Sequence, residues 1–155
     1  EVKVVKVAMH VRSKKPVVVL RKKGGQRTLL ICIGMFEAQA IVLALENVKP
    51  PRPLTHDLAK SLIEKLHAKV DKVVISDLIN NTFYSRILIR RNQENVRIDS
   101  RPSDAIALAL RLRVPIFIDE GVFNEGGIGN EPIGDKEVQD FKKQLEDLKP
   151  EDFTG

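Results

Sequence analysis

The sequence has no tryptophan, one tyrosine, two methionines and one cysteine, and each scarcity closes off something. Cys32 alone forms no internal disulfide and supplies no cysteine cluster for zinc. Its place in the apolar run Leu29-Leu30-Ile31-Cys32-Ile33 makes a buried, inert thiol the expectation. No apolar stretch approaches the ~20 residues of a membrane-spanning helix, and no signal-peptide pattern opens the chain as given. A reducing, cytoplasmic setting with no membrane contact is therefore expected. The first residue is Glu1 rather than Met, which leaves room for a short preceding extension. There is no Walker lysine loop, and the glycines at 126–129 lack the strand–turn–helix context of a nucleotide-binding fingerprint. One Tyr and six Phe are few for a single-strand binder that stacks bases.

What the sequence does contain is enough for one self-sufficient domain. A chain of 155 residues can bury roughly 70% of the surface its unfolded form exposes, without disulfides or structural metal. The net charge is +5, unevenly spread: residues 1–27 hold nine Lys/Arg against the single acid Glu1, and residues 131–155 hold eight Asp/Glu against four Lys. A basic half suits a phosphate backbone, since each contact releases condensed counterions. Lysines that guard exposed sheet edges are the plainer account.

Residues 2–12 alternate like a half-buried strand, with Val5, Val7, Met9 and Val11 on one face. Pro16–Lys22 and Arg27–Ile33 are two further strands turned by Gly24-Gly25. Met35–Glu46 is helical and almost wholly apolar, so a buried core helix is expected. A stiff connector through Pro50, Pro51 and Pro53 leads to a helix capped by Thr55 and running to about Ala68. Val70–Leu78, Thr82–Arg91 and Glu94–Asp99 read as strands, with Asn80-Asn81 and Asn92-Gln93 at the turns. Arg101–Arg113 alternates like a strand, yet its Ala and Leu content and Pro102 in the first turn predict a helix, capped by Ser100 or Ser103. A short strand follows at Pro115–Asp119, then a loop at residues 126–129 and an acidic amphipathic helix from about Asp135 to Leu148.

Ala40-Ile41-Val42-Leu43-Ala44-Leu45 returns 65 residues later as Ala105-Ile106-Ala107-Leu108-Ala109-Leu110, each copy after a hairpin. The expected fold is thus α+β: a mixed, largely antiparallel sheet built on a duplicated β-hairpin–helix unit, buried Ala/Leu-rich helices and a C-terminal amphipathic helix. Residues 1–130 form the domain and 131–155 the acidic helix on or beyond it.

The segment from Asp99 through Ser100-Arg101-Pro102-Ser103-Asp104-Ala105-Ile106 to Ala109 resembles the bifunctional nuclease domain family. So do Ile33-Gly34-Met35-Phe36-Glu37-Ala38, the run from Arg52 to Leu58, and Asn81-Thr82-Phe83-Tyr84, in the family's order and spacing over roughly residues 2–125. Cys32 departs from the bulky residue expected before Ile33-Gly34. The resemblance implies a self-associating α+β domain, a homodimer, with metal-dependent DNase and RNase activity. It brings no agreed set of catalytic residues.

Phosphodiester cleavage calls for carboxylates that hold a hard cation such as Mg²⁺ or Mn²⁺, and a positive group for the developing phosphorane charge. Asp99 and Asp104 flank a helix start, where free N–H groups attract phosphate, and Arg101 lies between them. Glu37 opens the echoed helix. Asp99, Asp104, Glu37 and Arg101 are the candidate catalytic residues, the three acids doubling as metal ligands. Tyr84, Arg86, Arg90, Lys22 and Lys23 are the candidate nucleic-acid contacts. The same residues also fit an ordinary helix-start signal, a dipole-favouring Glu37 and a structural Asp99–Arg101 pair. His56 and Asp57 are weaker metal candidates, because His67 lies eleven residues along the same helix, ~16 Å away. Three functions stand at this point: a nuclease acting on DNA or RNA, a non-catalytic nucleic-acid binder, and a protein- or small-ligand-binding domain.

Overall fold

The computed structural model describes residues 1–128; the expected acidic helix lies outside them. Within them the elements run β1 (Val2–Met9), β2 (Pro16–Lys22), β3 (Thr28–Cys32), α1 (Met35–Leu45), α2 (Thr55–Lys65), β4 (Lys69–Ile79), β5 (Thr82–Arg91), β6 (Glu94–Ser100), α3 (Pro102–Leu112), β7 (Ile116–Ile118), α4 (Glu120–Gly126) and the two-residue β8 (Gly127–Ile128).

One sheet takes all eight strands in the order β6-β5-β4-β7-β1-β2-β3-β8. The meanders β1-β2-β3 and β4-β5-β6 are antiparallel throughout. β7 joins them, antiparallel to β1 and parallel to β4. The expected α+β class and mixed, largely antiparallel sheet are therefore observed. Each meander feeds a helix, α1 after β3 and α3 after β6, and the two helices pack together. Counted from the helix starts, Ala38, Ala40 and Ile41 correspond to Ala105, Ala107 and Leu108. The step from Met35 to Pro102 is 67 positions, so the hexapeptide echo sits two residues out of structural register.

The turns follow local chemistry. Asn80, Asn81, Asn92 and Gln93 all have positive φ, as two-residue hairpin turns of the primed type require, and Gly24 has φ +74°. α3 forms despite its alternating pattern, because Pro102 occupies its first turn and Ala105 to Ala109 are buried together. The core lies between the inner sheet face (Val18, Leu20, Leu29, Ile31, Val73, Ile75, Ile87) and helices α1 and α3. Gly126 lies against Leu29, Leu78 and Phe83, so the sheet curls until side chains from its two halves meet.

Several expectations give way. Cys32 is exposed, because pleat parity turns Leu29 and Ile31 inward and Cys32 outward. α1 buries only Ala38, Ala40 and Ile41, with Phe36 bare to solvent; an apolar composition did not make it a core helix. β1 ends at Met9, and a bulge at Val5 resets its alternation, so Val11 is exposed. Thr55 is the first helical residue rather than the cap, and Asp57 instead accepts from the Leu54 N–H. That helix stops at Lys65. Neither Ser100 nor Ser103 caps α3, whose N-cap position is Arg101; Ser100 donates to the Arg101 carbonyl. The glycine segment is no simple loop: Gly126 ends α4, and Gly127-Ile128 pairs with β3.

Candidate active site

Helices α1, α2 and α3 each place an acid at the third helical position: Glu37, Asp57 and Asp104. Such acids complement the free N–H groups of a first helical turn. The first turns of all three helices meet at one place. Arg101 donates from Nη1 to Glu37 Oε1 at 2.9 Å. It also grips Asp104 with two bonds, Nε to Oδ2 at 2.8 Å and Nη2 to Oδ1 at 3.2 Å. His56, from the start of α2, brings Nε2 within 2.9 Å of Asp104 Oδ1. A carboxylate only accepts, so Nε2 carries a proton in this contact, and in the neutral ring Nδ1 is the acceptor.

Partial burial works to raise the Asp104 carboxyl, but hydrogen bonds from Arg101 and His56 outweigh it and hold the group below the ordinary aspartate value. The hydrogen bonds that Arg101 donates to Asp104 and then to Glu37 strengthen its charge. Arg101 is 65% exposed while His56 is 13% exposed, so the cation faces solvent and the imidazole is sheltered. A cleft of about 420 Å³ opens beside them, lined by Phe36, Gln39, Leu43, Pro53, His56 and Arg101 among others.

Gly34 makes the arrangement possible. A Cβ there would overlap the Glu37 carboxylate, which folds back over the helix start. Deeper in, Arg111 ties the three helices together: Nε to Asp57 Oδ1 at 2.9 Å, Nη2 to the Ala40 carbonyl at 3.0 Å and Nη1 to the Ala107 carbonyl at 2.8 Å.

Of the residues singled out from sequence, Glu37, Arg101 and Asp104 are brought together. Asp99 is not among them. It stands opposite Arg86 on the outer face of the sheet, while its neighbour Ser100 pairs inward with Ser85. A cation centre of Asp99, Asp104 and Glu37 does not fit this arrangement, since one ligand faces away and Arg101 already occupies the space between the other two. Among the described residues no three His, Cys, Asp or Glu side chains are gathered to hold a metal ion. His56 and Asp57 also part company, one turned to Asp104 and the other to Arg111.

Tyr84, Arg86 and Arg90 share the exposed outer face. Arg90 pairs with Asp71 at 3.0 Å and Arg86 approaches Asp77 at 4.0 Å, so their charge is partly answered within the chain. Lys22 and Lys23 lie at the far end of β2 from the α1 start, ~20 Å along a strand of that length. Lys22 pairs with Glu120 at 3.5 Å and Lys23 with Glu1. The sequence reading missed His56 as partner of Asp104, the bare Phe36, and Arg111. The shared signal was the acid three positions into each helix.

Residues 18–131 match the sequence profile of the bifunctional nuclease domain. The chain belongs to the bifunctional nuclease domain family. Relatives of this family member include an uncharacterized protein of Mycobacterium tuberculosis, 39% identical over all of this chain and 98% of that protein. Bifunctional nuclease 1 of Oryza sativa subsp. japonica is 31% identical over 72% of this chain and 35% of its own length. Bifunctional nuclease 2 of Arabidopsis thaliana is 28% identical over 66% of this chain and 32% of its own length. The domain thus spans about a third of those plant proteins. Among the described residues no helix is long and apolar enough to cross a membrane.

Proposed function

We propose that this domain hydrolyses phosphodiester bonds of DNA or RNA at the cluster of Arg101, Asp104, His56 and Glu37. The observation that carries the reading is the meeting of three helix first turns around a solvent-facing guanidinium and a carboxylate-bound imidazole. Helix starts and guanidinium together attract a phosphate. In the proposed reaction Asp104 holds His56 with Nε2 protonated, and Nδ1 takes a proton from the attacking water. The water oxygen bonds to phosphorus, Arg101 answers the added negative charge, and the ester P–O bond breaks as its oxygen takes a proton from solvent; the imidazolium then returns its Nδ1 proton to solvent. Glu37 orients Arg101. No step runs through a metal ion.

The family membership and the plant relatives named as bifunctional nucleases support the class of reaction. The homodimer and a divalent-cation requirement stay within the proposal as matters for test, the first by sedimentation equilibrium. A second reading, a non-catalytic binder of phosphate backbones, is favoured by one observation: residues 1–27 hold nine Lys/Arg against one acid.

End-labelled single-stranded RNA and DNA, incubated with highly purified protein in Mg²⁺, Mn²⁺ or EDTA, decide between these. Cleavage should fall roughly 10²–10³-fold in Arg101→Met and at least ~10²-fold in His56→Gln and Asp104→Asn, and persist in Asp99→Asn. Equal loss in folded Asp99→Asn would move the site to the outer sheet face. Strict metal dependence would mean that a cation displaces Arg101 from between Glu37 and Asp104. Salt-dependent binding without turnover would establish the second reading.

A further inference from the structure

Among the described residues, no packing partner explains the position of Phe36. It sits in the first turn of α1 and is 82% exposed, whereas Phe83 and Phe117 are half-buried and Phe123 is buried. An aromatic ring gains stability chiefly by leaving water, so nothing in the packing of the described residues accounts for it. Its position does. Phe36 lies on the rim of the cleft that holds Arg101 and His56. Gln39 and Leu43 follow it at the i+3 and i+7 positions of the same helix face, and both line that cleft. Pro53 and Leu54 complete an apolar floor. One end of the cleft therefore presents the exposed Arg101 guanidinium, held between Glu37 and Asp104, and the other is flat, apolar and aromatic, with a carboxamide able both to donate and to accept. That is the pattern of a nucleotide: phosphate at Arg101, base on Phe36.

We propose that Phe36 is a stacking platform for the nucleobase next to the phosphate held at Arg101, and that the domain takes single-stranded rather than duplex nucleic acid. A base inside a duplex keeps both its faces stacked on neighbours and has none to offer; a single strand presents an open π-face. The inference rests on the phosphodiesterase reading for the placement of the phosphate, and concerns which polymer enters.

Because the chain has no tryptophan, Phe36→Trp introduces a sole tryptophan at the site. Its emission should be quenched saturably by a ten-residue oligothymidylate, and unchanged by an abasic strand of equal length or by a ten-base-pair duplex. By anisotropy, Phe36→Ala should bind the oligothymidylate roughly 5- to 150-fold more weakly and the abasic strand as the wild type does. Phe36→Tyr should retain tight binding. Unaltered tryptophan emission with the strand demonstrably bound would overturn the proposal, as would equal quenching by duplex or unchanged affinity in Phe36→Ala. Sedimentation of wild type and Phe36→Ala adds a further arm: a dimer lost with the ring would assign Phe36 to a contact between copies instead. Cleavage by the wild type without quenching sinks this inference alone. Quenching without cleavage by any sample sinks the hydrolytic reading and leaves the platform standing.

Discussion

Arg101 and Arg111 stand at opposite ends of α3 and should behave oppositely when removed. Arg111 is 8% exposed and holds Asp57, the Ala40 carbonyl and the Ala107 carbonyl. Replacing it with Met keeps much of the aliphatic stem but strands Asp57 and leaves the Ala40 carbonyl without its donor. Removing one partner of a buried ion pair costs about 3–5 kcal/mol. Asp57 is partly exposed and keeps the Leu54 N–H, which places the expected loss near the lower end, about 3 kcal/mol. At about 2–4 °C per kcal/mol for a chain of this size, Tm should fall by roughly 6–12 °C. Arg101→Met, by contrast, removes exposed pairs worth about 0–1 kcal/mol each. Thermal melts followed by circular dichroism, with urea midpoints as a check, measure both. If Arg111→Met melts within 2 °C of Arg101→Met, on the order of the smallest shift expected for 1 kcal/mol, the view of Arg111 as the tie between three helices is wrong.

Two further predictions follow from the same geometry. Burial works to raise the Asp57 carboxyl, but the Leu54 N–H and Arg111 prevail, so its value lies below the ordinary one, as does that of Asp104. A carboxyl lowered by folding contributes stability above its unfolded value and loses it as pH falls through the folded one. Urea midpoints should therefore decline below about pH 4, less steeply in Arg111→Met; parallel acid limbs would refute the linkage. Gly34→Ala meets only the far end of the Glu37 side chain. Tm should stay within a few degrees, on the order of 1 kcal/mol, while the displaced Glu37 lets Arg101 swing and cleavage drops; unaltered cleavage would show that Glu37 does not orient Arg101.

Much of this fold was legible because its signals are local. Asn80-Asn81 and Asn92-Gln93 delimit β5 at Thr82–Arg91 with no reference to the rest of the chain. Burial was less legible, because it depends on which element covers which face. Cys32 in an apolar run and Phe36 in an apolar helix both face outward, and α4 is too short to announce itself ahead of two glycines. The gathering of Glu37 with Arg101 and Asp104 could be read from the repeated unit. The exclusion of Asp99 could not, since it turns on the parity of one strand residue. His56 was set aside for want of a second histidine, when its partner was a carboxylate 48 positions away on another helix.

The two halves of the molecule place their helix starts alike, yet Gly34 in one occupies the position of Arg101 in the other. Two arginines would crowd like charges against each other, and two glycines would leave Glu37 and Asp104 in unrelieved repulsion. The cluster depends on the asymmetry at that pair of positions, toward emptiness on one side and charge on the other. A chain in which the halves converged again would keep its sheet and lose its site, so the two copies are bound to diverge together.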